Sequence, residues 1–297
     1  MTRGRIIKDS IARRTMLLIT LGSGFLVFLM ALGLCVKAWP ILRLKSLGEI
    51  LFSSSWHPLK GDFGMLPFIM GTLWVTGIAI IIAVPISLLT AIYLSEYAPK
   101  RMKEFSKPFI DLLAGIPSVI YGVWGILIIV PLVKDHIAPF FGVYSSGYSV
   151  LSAGIVLSIM IFPVIIHITM EVFHSIPREL REASLALGAT RWQTVKHVLL
   201  RKSLPGIVAA NVLGFSRAFG ETMAVLMVAG NIVKIPLSVF DAGYPLPALI
   251  ANNYGEMLSI PLYDAALLMS ALVLFVVVIF FNVVSRYILH RINLRIS

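Results

Sequence analysis

Cysteine is almost absent: the 297 residues hold one, Cys35. It allows no intramolecular disulfide and no cysteine-based metal centre, and its apolar surroundings predict a buried packing role. Charge is scarce too, at 13% of residues against 58% hydrophobic, with a mean hydropathy of +0.93. A soluble domain carries about 25% charged residues. This balance excludes a soluble enzyme and indicates a polytopic membrane protein. Acidic residues are the scarcer sign, 14 Asp+Glu against 25 Lys+Arg. A basic chain can suit nucleic acid or a membrane. Here the charges sit in short clusters between apolar runs, so membrane lipid and not nucleic acid is the expected partner. No G-x-x-x-x-G-K-[ST] run occurs and no glycine precedes a lysine, so the chain has no phosphate-cradling loop for ATP. GxSxG, HExxH and paired-carboxylate patterns are missing as well. No catalytic residue, metal or cofactor is expected.

What is present is a series of uncharged runs, at 15–36, 63–95, 112–133, 136–170 and 265–285, with a sixth at 203–233 broken only by Arg217 and Glu221. About 20 apolar residues cross the hydrocarbon layer as a helix, and lipid offers no partner to open backbone groups. An all-α protein with six transmembrane helices follows, near 15–36, 67–94, 110–133, 150–173, 204–230 and 263–285. The first run is preceded by Arg3, Arg5, Arg13 and Arg14. It exceeds the roughly 7–15 apolar residues of a cleaved signal and is read as a retained anchor. Eighteen Lys+Arg fall in 1–14, 95–109, 174–203 and 286–297, and six in the alternating loops. Both termini are therefore expected in the cytoplasm. Residues 1–14 form a cytoplasmic basic segment, and 15–297 a single membrane domain.

The 174–203 loop is the largest cytoplasmic feature. Pro177 suits a helix start and Glu179 its first turn. Leu180, Ala183, Ser184 and Leu187 recur at helical spacing, with Arg178, Glu179, Arg181 and Glu182 as the polar remainder. Gly188 fits a left-handed helix end, and Thr190 with Gln193 a capping box that restarts a helix. A solvated loop is the plain reading; a knob that seats in a partner is the functional one. In the fifth run, Arg217 and Glu221 stand four apart, which predicts one helix face. Intramembrane charges face a bundle interior or an aqueous path. An internal salt bridge and an anion site are the competing roles. Arg217 can grip an oxyanion bidentately, with Thr222 as a further donor. Trp39, Trp56 and Tyr148 suit an interfacial belt, and residues 248–256 a short helix in the outer 231–262 loop. His136 and His167 are read as interface or packing residues and not as metal ligands, since no cluster with metal spacing surrounds them.

Glu182-Ala183-Ser184 followed by Gly188 resembles the EAA loop of ABC-importer permeases; Arg201 stands where that pattern usually closes on proline. Leu113-Ala114-Gly115-Ile116-Pro117-Ser118-Val119-Ile120-Tyr121-Gly122 and Arg217-Ala218-Phe219-Gly220-Glu221-Thr222-Met223-Ala224-Val225 resemble segments of Pst-type phosphate permeases, in the wording of their C-type subunit. The resemblance implies a type I ABC-importer permease architecture in a bacterial or archaeal cytoplasmic membrane. It implies a non-catalytic half of an ATP-driven phosphate importer. Its partners would be a homologous A-type permease, an ATP-binding cassette ATPase dimer, an extracytoplasmic phosphate-binding protein and phosphate itself. Arg178, Glu179, Arg181, Glu182, Ala183, Ser184 and Gly188 would form the ATPase-coupling element; Arg217, Glu221 and Thr222 would line the substrate path. A permease for molybdate or sulfate, a self-sufficient channel or carrier, and a membrane enzyme are the alternatives.

Overall fold

The computed structural model describes residues 3–256, 260 and 262–296; Pro261, near the end of the 231–262 loop, lies outside them. The elements run α1 (Arg3–Leu44), α2 (Leu47–Phe52), the two-residue antiparallel strands β1 (Trp56–His57) and β2 (Asp62–Phe63), α3 (Leu66–Tyr97), α4 (Lys100–Gly115), α5 (Ser118–Phe140), α6 (Val150–His174), α7 (Arg178–Ala186), α8 (Arg191–Phe219), α9 (Met223–Val228), α10 (Leu246–Asn253) and α11 (Tyr263–Ile296). Six helices among the described residues are long and apolar enough to span a membrane: Ser10–Leu44, α3, α5, α6, α8 and Tyr263–Val284.

Two spans differ from the sequence reading. The third begins at Ser118, not near 110, because Pro117 forces Ile116 into extended backbone (φ −68°, ψ 128°) and is itself extended (ψ 142°). The residues before that break form α4, an amphipathic helix with no buried residue. Past residue 133 the helix continues through Lys134, Asp135 and His136, so a charge does not mark its end. The fifth span starts earlier, at Arg191, and stops at Phe219; Gly220–Thr222 leave helical geometry before α9.

Parallel α3 and α6 form the heart of the molecule. Gly154 of α6 faces Ile78 and the Val75 carbonyl of α3, with no room for a side chain; small residues allow such close helix approach in membranes. Around them α5 and α9 complete a core of Val75, Ile78, Tyr121, Val156, Leu157, Ile161, Val225 and Val228. A second core, built on Phe63, Phe68, Tyr244, Leu249 and Tyr263, closes the end where the chain leaves α1 and enters α3. Trp56 packs edge-on against Phe63 and Phe68 there, in an aromatic cluster. A third core joins the ends of α3 and α6 to the start of α8 through Ile92, Phe173, Val195 and Leu199. α1 is the outlier: its apolar stretch is unburied and it leans on α11. Cys35 is exposed on it, contrary to the packing role expected from composition.

Among the described residues, four turns of wider π geometry interrupt the helices, at Tyr93–Tyr97, Gly125–Ile129, Val133–Ile137 and Val195–Leu199. Three of them end two residues before a proline, at Pro99, Pro131 and Pro139. A proline ring clashes with the carbonyl one turn back and supplies no N–H. At Pro131 and Pro139, which stay within the helix, widening the preceding turn accommodates both effects, whereas Pro99 stands in extended backbone past the helix end.

Candidate functional site

The two sequence segments at 113–122 and 217–225 meet in space. Each contains a helix break, at Ile116–Pro117 and at Gly220–Thr222. α5 and α9 begin just beyond these breaks and pack together closely. A side chain at Gly122 would strike Met227 Sδ (2.5 Å) and crowd the Ala224 backbone (3.3 Å). Tyr121 donates its hydroxyl to the Leu113 carbonyl (2.7 Å), tying α5 back across its own break to α4.

Arg217 occupies the last turn of α8, where a cation opposes the negative helix end. It is half-buried, lies within electrostatic reach of Tyr121, and has no hydrogen bond or ion pair among the described residues. The expected i, i+4 pair with Glu221 is not made. The helix ends at Phe219, so Glu221 is carried off the Arg217 face, and its carboxylate accepts instead from the Ala224 N–H at the start of α9 (3.3 Å). Thr222 donates its hydroxyl to the Gly220 carbonyl (3.3 Å). Phe215 stacks on Phe219 and meets Phe281 of α11 (ring centroids 4.2 Å), fixing the turn that carries the arginine. The result is an unpaired guanidinium beside two breaks, with one carboxylate held a few residues away by backbone.

The second group of residues lies at the ends of α3 and α6, whereas α8 runs along α6 from Val172 (facing Gly206) to Ile165 (facing Gly214) and so brings Arg217 beside its middle. α7 starts after extended Pro177 and ends before Gly188 at φ +83°, a conformation that favours glycine. Thr190 and Gln193 form the expected capping box, with Thr190 Oγ1 accepting from Gln193 N–H and Gln193 Oε1 from Thr190 N–H. Arg178, Glu179, Glu182, Ala183 and Gly188 are exposed, and Leu187 is 90% exposed. The four residues at helical spacing do not share one buried face: Ser184 turns inward to a hydroxyl pair with Thr194 (2.9 Å), while Leu180 and Leu187 stay outside. Arg181 also turns inward. Its Nε and Nη2 donate to Glu96 (3.2 and 2.9 Å), its Nη1 to the Ile176 carbonyl (2.8 Å) and its Nη2 to the Phe173 carbonyl (2.8 Å).

Glu96 was readable in the sequence only as the residue that ends an uncharged run; its partner stands 85 positions away. α10 fulfils the short helix expected at 248–256 and buries Leu246, Ala248 and Leu249. His167 Nδ1 sits 4.0 Å from Asp111 Oδ1, while His136 is exposed.

The family model for the binding-protein-dependent transport system inner membrane component matches residues 83–294. The phosphate transport system permease protein PstC of Xylella fastidiosa is 38% identical over 259 residues, covering 82% of this chain and 79% of its own length. A probable phosphate transport system permease protein PstC of Methanocaldococcus jannaschii is 36% identical over 283 residues, 90% of this chain and 89% of its own. Two solved structures share the fold. The MetNI methionine ABC transporter in inward-facing form matches with a TM-score of 0.60 at 21% identity, over 77% of this chain and 95% of that one. A bacterial alginate ABC transporter bound to its alginate-loaded periplasmic protein matches with a TM-score of 0.60 at 19% identity, over 96% and 97%.

Proposed function

Because this chain belongs to the family of binding-protein-dependent transport system inner membrane components, we propose that it is the permease subunit of an ATP-driven inorganic phosphate importer. Its fold is that of the type I ABC-importer permeases. The observation that carries the phosphate reading is the likeness, over most of the length, to phosphate permeases of a bacterium and an archaeon. The unpaired Arg217 supplies the chemistry: a planar fork of donors suits a tetrahedral oxyanion.

In this reading the chain forms half of the translocation path and a homologous A-type permease the other half. An ATPase dimer seats the exposed face of α7, and an extracytoplasmic phosphate-binding protein delivers cargo to the opposite side. Both termini and α7 face the cytoplasm. Arg217 meets the anion, and Thr222 can turn its hydroxyl from Gly220 toward it. Glu221 keeps a negative charge nearby without neutralising the arginine, so phosphate enters without being trapped. ATP-driven closure of the ATPases displaces α7 and exposes the path to alternate sides.

The test is phosphate uptake by assembled complexes carrying Arg217→Lys or Arg217→Gln. A charged hydrogen bond contributes about 1.5–3 kcal/mol, which corresponds to roughly 10–100-fold in uptake. Lysine keeps the charge and loses the fork, so it should fall between glutamine and wild type. Wild-type uptake in both variants removes Arg217 from the path. Competition by molybdate and sulfate against labelled phosphate reads cargo choice in the same vesicles.

A further inference from the structure

One guanidinium holds the cytoplasmic ends of three helices together. Arg181 of α7 makes a two-point contact with Glu96 at the end of α3 and donates to the Phe173 and Ile176 carbonyls at the end of α6. A fourth helix joins the same turn: Lys103 of α4 donates to the Ser95 carbonyl (2.6 Å), and Ser95 donates to Glu96 Oε1 (3.1 Å). The ion-pair side chains are only 20% and 14% exposed, so solvent screens them little.

α7 has few other attachments. None of its residues is buried, and its remaining side-chain hydrogen bond to another helix is the Ser184–Thr194 hydroxyl pair. A push on the exposed face of α7 reaches α6 and α8 also through the chain on either side of it, but reaches α3 through Arg181. A guanidinium suits that role because its donors are fixed in one plane and cannot swivel as an ammonium does. Two of its bonds take carbonyls at and just past the end of α6: Phe173, which also accepts the Ile176 N–H, and Ile176 in the link to α7. The other two take Glu96, which projects from the widened turn Tyr93–Tyr97. Since α3 and α6 pack in parallel along the core, a single displacement moves both. At the far end of α3, Thr72 accepts from the Leu246 N–H of α10 (2.9 Å), so motion of α3 also reaches the outer loops.

We propose that the Arg181–Glu96 pair is the positioning link that converts displacement of α7 into displacement of α3 and α6, so that ATP hydrolysis is tied to transport through it. Arg181 then acts inside the permease, not on the ATPase surface. This rests on the reading of the chain as an ATP-driven permease. Complexes carrying Glu96→Gln, Arg181→Lys or Arg181→Gln are reconstituted with the partner permease, ATPases and binding protein, and both ATP hydrolysis and phosphate uptake are measured. Basal hydrolysis is expected to continue while uptake falls at least about tenfold, so more ATP is spent per phosphate moved. Unchanged uptake in all three variants overturns the link. A fall in hydrolysis and uptake together, with an unchanged ratio, overturns it too.

A rescue keeps the proposal testable where a variant assembles poorly. In a Cys35→Ser background, Glu96→Cys with Arg181→Cys is joined by a short bifunctional thiol reagent. Bridging should restore uptake toward wild type, whereas an inactive bridged complex counts against the link. If the wild-type complex itself moves no phosphate, the functional reading fails on that control, before any variant is compared.

Discussion

Lys45 and Asp62 close the loop ahead of α3 with a 2.8 Å ion pair. The hydrogen bond from Lys45, and then its charge, hold the Asp62 carboxyl below its ordinary value of 3.8. A depressed carboxylate contributes stability above the unfolded value, and loses it as pH falls through the lower folded one. The link between α1 and β2 should therefore persist in mild acid and open only below the ordinary aspartate range. Trp56, packed on Phe63 next to Asp62, reports this by fluorescence in an acid titration. Asp62→Asn should abolish that transition, and an unchanged transition would remove the pair from the hairpin's stability. Single residues were unevenly legible in the sequence. Gly188, Thr190 and Gln193 carry local signals and fall where those signals place them. Glu96 carries none, because its meaning comes from a partner far along the chain. Arg217 was legible as a cation inside an apolar run; that it makes no pair with Glu221 was not, since spacing of four assumes an unbroken helix.

Helices were legible where hydropathy and geometry agree, as at α3 and α6. They were misjudged where backbone chemistry overrules hydropathy. Pro117 splits the third apolar run into α4 and α5, and Gly220 ends α8 inside the sixth. Both breaks sit in the segments that meet beside Arg217, so the departures from simple periodicity mark the candidate path. The α3–α6 contact gives a test at this scale. A methyl group at Gly154 would lie 2.5 Å from Ile78 Cγ2 and 2.7 Å from its Cβ, whereas one at Gly77 would meet nothing within 4 Å. Overpacking costs about 1–3 kcal/mol. Gly154→Ala should lower the thermal midpoint of the purified protein by several degrees, at about 2–4 °C per kcal/mol. Gly77→Ala should leave it near wild type. Equal midpoints for the two variants would show that this crossing does not limit stability.

For the whole molecule, the composition fixed the solvent: about half the usual charge, and apolar runs of spanning length. The chain also holds no G-x-x-x-x-G-K-[ST] run, so ATP hydrolysis is expected in another polypeptide. The structure adds how the parts are joined. The candidate path lies beside the middle of α6 and α7 lies past its end, where a polar hub ties α7 to α3, α4 and α6. In the proposed reading this arrangement converts a push into geometry, and the energy comes from the partner ATPases. Vesicles containing this chain alone should accumulate no phosphate against a gradient, with or without ATP. Adding the second permease, the ATPases and the binding protein should make accumulation appear and depend on hydrolysis. Unaided accumulation by the single chain would replace the permease-subunit reading with that of a carrier driven by an ion gradient. Arg217 and Glu221 would then have to be reconsidered as titrating partners and not as an anion site with a nearby counter-charge.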